Sequence, residues 1–192
     1  MGEREFISAL KEGNASAYKE LVSQYSGKVF NTSIGILQNA EDAEDITQEV
    51  FIEVFKSVHA FKGESKLSTW IYRITVIKAL EFLRKKKRKK RFAIVQSLFG
   101  MESVLPETDM PHFYHPGVQL ENKERSAILF KAIEQLVDKQ KTAFILHKVE
   151  GLSYAEVAEI MKTTVPSVES LLFRAKQNLQ KLLADYYNTH HK

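Results

Sequence analysis

Residues 151–176, GLSYAEVAEIMKTTVPSVESLLFRAK, decide the fold of the last part of the chain. An apolar stripe at helical spacing predicts a short first helix, and its members are Val157, Ile160 and Met161. Ser153 precedes this helix as an N-cap, and Glu156 three residues later completes a capping box. Lys162 follows the stripe, and Pro166 suits the first turn of a second helix. The pattern is typical of a helix-turn-helix, whose second helix enters the DNA major groove.

The second predicted helix has two different faces, since successive residues are about 100° apart around a helix. The apolar face, which we expect to pack on the first helix, consists of Val168, Leu171, Leu172 and Ala175. The opposite face carries Glu169, Ser170, Phe173, Arg174 and Gln177. Ser, Arg and Gln side chains hydrogen-bond base edges, and Phe contacts a thymine methyl group. This face therefore predicts DNA binding, although an ordinary helical hairpin with a solvated polar face is the alternative from this segment alone.

Composition sets limits on the class of protein. The 192 residues permit one domain or two small ones, and 44% apolar residues are enough to build cores. The absence of cysteine excludes disulfides and cysteine-bound zinc. No apolar run approaches the roughly 20 residues that span a bilayer, and the acidic, amphipathic N-terminus is unlike a signal peptide. By elimination, we expect a cytoplasmic protein without membrane insertion.

The first half of the chain predicts successive helices and no strand, because its apolar residues recur every three or four positions. The first helix ends near Gly13, and Asn14 and Asn39 can cap the next two. The expected apolar stripes comprise Phe6, Ile7 and Leu10; Ala17, Tyr18, Leu21, Val22, Tyr25, Val29 and Phe30; and Ile46, Val50, Phe51, Val54, Phe55 and Val58. The third helix begins with acidic residues that suit the positive end of the helix dipole.

A long fourth helix, predicted from Leu67 onward, runs into eight consecutive basic residues at 84–91. Residues 1–95 contain 17 Lys and Arg against 12 Asp and Glu, so the positive excess lies in this half. Basic residues near Trp70 and Tyr72 favour nucleic acid, particularly unpaired bases that can stack. A solvated helix end or a localisation tract is the simpler alternative for such a charge run.

Residues 93–120 predict a flexible linker between two small helical domains, at 1–92 and 121–187, in an all-α fold. Residues 92–120 contain no Lys or Arg and three of the four prolines, which makes a continuous helix improbable. His112 and His115 lie there without a carboxylate or cysteine cluster, so we interpret them as an incidental pair and expect no metal. Helical spacing resumes near Glu121 and continues to Gly151, which ends the helix before the helix-turn-helix.

Three segments in this order resemble a bacterial RNA polymerase sigma factor of the extracytoplasmic-function (ECF) group, the minimal type of the sigma-70 family. They are DAEDITQEVF at 42–51, STWIYRI at 68–74 and GLSYAEVAEI at 151–160. The resemblance covers nearly the whole chain except the linker, and three motifs together are specific. It implies one domain that reads the minus-10 promoter element and a C-terminal domain that reads the minus-35 element.

The resemblance also implies residue roles. The third helix would grip the coiled coil of the polymerase beta-prime subunit through Asp45, Gln48 and Glu49, with Phe51 in the core. Minus-10 contacts would come from Phe61, Lys62, Lys66, Trp70, Arg73, Ile77, Arg84, Lys85 and Arg88. Minus-35 contacts would come from Glu169, Ser170, Phe173, Arg174 and Gln177. Such proteins assist promoter melting, and they are commonly held by an anti-sigma factor until a signal releases them.

Two other functions compete with this interpretation. A dimeric helix-turn-helix regulator acting without polymerase explains residues 151–176 but not the acidic third helix or Trp70. A nucleic-acid enzyme ranks last, because no P-loop, paired-carboxylate metal site or activated nucleophile is recognisable in the sequence. We therefore expect no enzyme activity and no cofactor.

Overall fold

The computed structural model describes residues 2–98 and 123–190, which form helices and the loops between them and contain no strand. The N-terminal helices are α1 (Glu3–Lys11), α2 (Ala15–Leu37), α3 (Ala40–Ser57) and α4 (Leu67–Leu98), with a 3₁₀ turn at Val58–Ala60. The C-terminal helices are α5 (Lys123–Glu134), α6 (Asp138–Phe144), α7 (Tyr154–Ile160) and α8 (Val165–His190), with a π-helical turn at Ile145–Val149. The predicted all-α fold is confirmed.

Asparagine caps start two of the N-terminal helices, as the sequence predicts. The Asn14 side chain accepts hydrogen bonds from the backbone N–H groups of Ser16 and Ala17 at 2.9 and 3.1 Å. The Asn39 side chain accepts from the Asp42 N–H at 2.8 Å. These bonds satisfy N–H groups that have no partner inside the helix.

The N-terminal helices form a bundle in which α2, α3 and α4 pack against one another. Fully buried members of its core include Leu21, Val29, Val50 and Ile71. Phe51 is buried, as predicted, but the expectation that Phe55 belongs to the apolar stripe is wrong, since 56% of Phe55 is exposed. Its ring lies edge-on to Tyr18, with the ring centroids 5.0 Å apart, on the outside of the bundle.

Helix α4 continues further than predicted. It runs to Leu98, so the first six residues of the predicted linker are helical. The remainder, including His112 and His115, lies outside the described residues. The backbone N–H of Leu67, the first residue of α4, donates to Glu3 Oε1 at 3.2 Å and ties the start of this helix to α1.

The C-terminal helices have a smaller core between α5 and α8, which contains Phe130, Ile133 and Leu179. Helix α8, the second helix of the helix-turn-helix, contains 26 residues and extends beyond Lys176, where the segment that predicted it ends. The physical reason is that Leu179, Leu182 and Leu183 continue its apolar stripe and pack with α5 residues.

The two sets of helices touch in this structure. Leu146, Val157 and Ile160 belong to the same buried cluster as the core of the N-terminal helices. At Gly35 of α2, a Cβ atom would lie 2.8 Å from Ile145 Cγ2, so only glycine permits this approach without a shift. The helices of the two predicted domains, 1–92 and 121–187, therefore share a packed interface.

Candidate nucleic-acid interface

The helix-turn-helix begins with the predicted capping box. The Ser153 hydroxyl accepts from the Glu156 N–H at 3.3 Å, and Glu156 Oε2 accepts from the Ser153 N–H at 3.0 Å. The hydrogen bond from the Ser153 backbone lowers the pKa of Glu156, which keeps this carboxylate charged. The turn after α7 has Lys162 at φ 50°, a left-handed conformation that side chains other than glycine tolerate at a cost of roughly 1–2 kcal/mol.

The two faces of α8 are arranged as the sequence predicts. Val168, Leu172 and Ala175 are buried, and Leu171 is partly buried. The five residues proposed to face bases are all exposed, namely Glu169, Ser170, Phe173, Arg174 and Gln177. Phe173 is 63% exposed although it is aromatic, so the protein presents an apolar group next to hydrogen-bonding groups. This combination suits the major-groove surface of a base pair.

The start of α7 carries a further exposed aromatic residue that the sequence reasoning missed. Tyr154 is 39% exposed, and its ring lies 4.7 Å from the ring of His147. His147 Nδ1 is 2.7 Å from the Leu152 carbonyl oxygen, so the histidine positions the loop before α7. The sequence contains a signal for this exposure, because Tyr154 directly follows the N-cap residue Ser153 and does not belong to the buried stripe of α7.

The loop at residues 61–66 and helix α4 carry the predicted minus-10 contacts. Phe61 is wrong as a surface contact, because it is only 5% exposed and packs against Trp70 at a centroid distance of 5.0 Å. Its ring is tilted by 39° to the Trp70 ring and supports it instead. Lys62 and Lys66 are exposed, and Ile77 is 45% exposed.

A polar cleft lies beside this loop. It is lined by Glu3, Arg4, Ile7, Lys11, Phe61, Lys62, Gly63 and Ser65. Arg4 and Lys11 of α1 thus join Lys62 around one opening, and such cations attract phosphate. The sequence reasoning missed both residues, since α1 lies far from the loop along the chain.

The basic run on α4, residues 84–91, is exposed along its whole length, and some of its lysines pair with carboxylates. Arg84, Lys85 and Arg88 are exposed. Lys86 Nζ lies 2.6 Å from Asp42 Oδ2 on α3. Lys87 Nζ donates to both Asp138 carboxylate oxygens, at 2.8 and 2.9 Å. Among the residues that the structure describes, two of the eight cations therefore have carboxylate partners.

The outer face of α3 presents the predicted polymerase contacts. Asp45, Gln48 and Glu49 are exposed, and Glu49 Oε2 lies 3.9 Å from Lys78 Nζ. Ile52, seven residues after Asp45 and therefore on the same face, is 53% exposed. Phe55 follows three residues later and is also exposed. An acidic and apolar row of this kind indicates a surface for another protein.

Within residues 2–98 and 123–190, no group of three or more His, Asp or Glu residues is placed to hold a metal ion. None of the helices described there is long and apolar enough to cross a membrane.

The chain is similar to known proteins in both sequence and structure. The family model of Sigma-70 region 2 matches residues 21–89, and that of Sigma-70, region 4 matches residues 119–179. The ECF RNA polymerase sigma-E factor of Haemophilus influenzae is 31% identical over 185 residues, which cover 93% of each chain. The ECF RNA polymerase sigma factor SigW of Bacillus subtilis is 29% identical over 183 residues, which cover 93% of this chain and 95% of the relative.

Two solved structures have a similar fold. CnrH, in complex with the cytosolic domain of CnrY, has a TM-score of 0.67 and 19% identity over 95% of this chain and 97% of that chain. The sigma factor RpoE from Bartonella quintana, in complex with the anti-sigma factor NepR, has a TM-score of 0.62 and 22% identity. That match covers 87% of this chain and 96% of the other.

Proposed function

This chain belongs to the extracytoplasmic-function group of sigma-70 factors, and from that premise we propose which of its surfaces carries each step of promoter recognition. A sigma factor binds core RNA polymerase and directs it to promoters, where it initiates transcription. Such a protein contributes binding surfaces, so we further propose that it has no catalytic activity of its own and works in the cytoplasm beside the polymerase.

The outer face of α3 is the proposed polymerase-binding face, and its occupant is the coiled coil of the beta-prime subunit. One observation carries this assignment: Asp45, Gln48 and Ile52 form an exposed row on one side of the helix. Exposed apolar side chains beside acidic ones match the anatomy of protein interfaces, with an apolar centre and a polar rim.

The loop at 61–66 and the exposed side of α4 form the proposed strand-binding face for the melted minus-10 element. Trp70, held by Phe61, can stack on an unpaired base. Arg84, Lys85 and Arg88 supply cations along the helix, and Arg4 and Lys11 extend them at the cleft. Ile77 stands where the family usually has Asn, so it offers apolar contact to a base instead of a hydrogen bond.

Helix α8 is the proposed reader of duplex DNA at the minus-35 element. Arg174, Ser170 and Gln177 supply donors to base edges, and Glu169 can accept from the cytosine amino group. Phe173 supplies the apolar contact. These two DNA-binding faces correspond to the proposed domains 1–92 and 121–187.

An anti-sigma factor is the proposed further partner. The two similar solved chains were captured with other proteins, the cytosolic domain of CnrY and the anti-sigma factor NepR. The exposed apolar row on α3 gives a partner of this kind a place to bind in competition with polymerase.

Binding to core RNA polymerase tests the proposed face on α3. Asp45→Lys and Ile52→Ala should each weaken binding of the purified protein by roughly tenfold or more, as hot-spot residues do. Glu20→Lys, a charge reversal at an exposed position on α2, serves as the matched control and should bind normally. Wild-type affinity in both α3 variants would contradict the assignment, and DNA binding as a dimer without polymerase would favour the alternative regulator.

A further inference from the structure

The polar cleft between α1 and the loop at residues 61–66 has the size and the lining of a ligand site. It encloses about 440 Å³, and ligand clefts in proteins usually measure about 300–1,000 Å³. Its lining includes three cations, one carboxylate and two apolar side chains, namely Arg4, Lys11, Lys62, Glu3, Ile7 and Phe61. Such a lining suits one nucleotide, because the phosphate of a nucleotide is anionic and the faces of its base are apolar.

The cations of the cleft are not neutralised by the protein. Within residues 2–98 and 123–190, none of Arg4, Lys11 and Lys62 forms an ion pair. Lys66 of the same loop, in contrast, pairs with Glu156. Unpaired cations around one opening repel one another until an anion binds, so they favour a phosphate between them.

Glu3 gives the cleft a means of distinguishing bases. Its Oε1 accepts a hydrogen bond from the backbone N–H of Leu67 at 3.2 Å, which ties the carboxylate to the start of α4. Its Oε2 accepts no hydrogen bond from the described residues. A carboxylate accepts a hydrogen bond from the amino group of a base such as cytosine, whereas thymine has no amino group. This second oxygen therefore favours cytosine, adenine or guanine over thymine.

The order of the elements places the cleft downstream of the minus-10 contacts. The chain continues from the C-terminal end of α4 toward the helices that are proposed to read the minus-35 element, which lies upstream. Arg84 and Arg88 are near that end, whereas Trp70 and the loop at 61–66 are at the other end of α4. A melted strand that follows α4 in the downstream direction therefore reaches the loop last and next meets the cleft beside α1.

We propose that this cleft binds one nucleotide of the melted non-template strand directly downstream of the minus-10 element, with its phosphate on Arg4 and Lys11 and its base within reach of Glu3. This inference rests on the proposed strand-binding face of α4. The residues that α1 contributes lie before residue 21, where the match to Sigma-70 region 2 begins. Promoter preference of this chain therefore extends one position past the minus-10 element, where thymine is disfavoured.

Selection of DNA by the holoenzyme tests the role of Glu3. The holoenzyme consists of the full-length chain and core RNA polymerase, and the DNA contains a bubble whose non-template strand is randomised at the minus-10 element and the positions after it. The wild type should select against thymine at the position directly after the element. Glu3→Gln keeps an acceptor for Leu67, but its amide also donates to thymine O4, so it should lose this selection and keep the minus-10 preference. An absent selection in the wild type, or an unchanged one in Glu3→Gln, overturns the proposal.

The affinity of the same holoenzyme for the selected DNA tests the phosphate contacts. Arg4→Gln with Lys11→Gln should weaken binding about tenfold. It should also reduce the slope of log affinity against log salt concentration by about 1.4, since each contact to a single strand contributes about 0.7. The control, Lys139→Gln with Lys181→Gln, removes the same charge at exposed positions of α6 and α8 and should change neither quantity.

A shorter DNA locates the contact along the strand. When the non-template strand ends at the last nucleotide of the minus-10 element, wild type and the Arg4 and Lys11 double variant should bind equally. An equal loss on both DNAs, or no loss on the longer one, overturns the proposal.

A further variant separates this inference from the proposed function. Arg84→Gln with Arg88→Gln should weaken binding of both DNAs, because these cations lie on the strand-binding face of α4. If it does so while the Arg4 and Lys11 double variant binds normally, the cleft assignment alone is wrong. If it has no effect on either DNA, the strand-binding face is wrong and the cleft assignment falls with it.

Discussion

At the scale of single residues, neighbouring positions on α8 separate folding from recognition. Leu172 is buried, whereas Arg174 is exposed on the opposite face. Arg174→Ala should change the melting temperature little, because surface substitutions usually change the free energy of unfolding by no more than about 0.5 kcal/mol. The same variant should lose about 1–3 kcal/mol of discrimination between bases at one or two minus-35 positions. Leu172→Ala should instead lose roughly 2–5 kcal/mol of stability. Thermal melting and binding to a series of promoter mutants measure both effects, and unfolding of the Arg174 variant would contradict the assignment of faces.

Glu150 contributes a pH dependence to stability through its burial. Burial raises the pKa of its carboxyl above the usual value, although the hydrogen bond from Tyr72 and the charge of Lys28 oppose the shift. The folded protein therefore favours protonated Glu150, and this contribution is present at acidic pH and is lost as the pH rises through the raised pKa. Glu150→Gln keeps an acceptor for Tyr72, so its melting temperature relative to wild type should increase from pH 4 toward pH 7.

The matched control for this change is Glu134→Gln, which removes an exposed carboxylate of α5. Its melting temperature relative to wild type should change less over the same pH range. A Glu150→Gln protein whose difference from wild type stays constant with pH would show that the buried carboxyl does not titrate as described.

At the scale of one element, some cations of α4 pair with carboxylates of the protein, and we propose that others bind DNA. Arg84, Lys85 and Arg88 are exposed, while Lys86 and Lys87 pair with carboxylates. Changing Arg84, Lys85 and Arg88 to Gln should weaken binding of all single strands alike, because phosphate contacts carry no sequence information. It should also reduce the slope of log affinity against log salt concentration by about 2, since each phosphate contact contributes about 0.7. The control changes three exposed lysines of the C-terminal helices to Gln, namely Lys131, Lys139 and Lys148. A salt slope that is equal in both triple variants would mean that the basic run is only a solvated helix end.

The elements also show what the sequence could and could not predict. Local signals were sufficient for the caps at Asn14, Asn39 and Ser153, because a capping side chain bonds within three residues of itself. Helical spacing was also sufficient for the faces of α8. It failed for Phe55, since apolar spacing does not distinguish a core side chain from one exposed for a partner. The role of Phe61 came from the family resemblance, which does not show that the Phe61 ring packs against Trp70 of α4.

Local sequence patterns could not predict contacts between segments that are distant along the chain. The approach of Gly35 to Ile145 depends on how α2 meets the π-helical turn, and no spacing within either segment encodes that meeting. The same holds for Arg4 and Lys11, which reach the loop only because α1 packs beside it. Family resemblance supplied the functional roles, and the exposed residues on each helix then show which roles the surface can support.

At the scale of the whole molecule, the shared core couples the stability of the two halves. Leu146 is fully buried in the cluster that also includes the core of α2 to α4, whereas Ile133 belongs to the cluster between α5 and α8. Leu146→Ala should lose about 2–5 kcal/mol and lower hydrogen-exchange protection in α2 as well as in the C-terminal helices. Ile133→Ala should lose a similar amount but leave the protection of α2 to α4 nearly unchanged. Unchanged protection of α2 in the Leu146 variant would mean that the halves unfold independently, and the packed interface would then contribute little to the free protein.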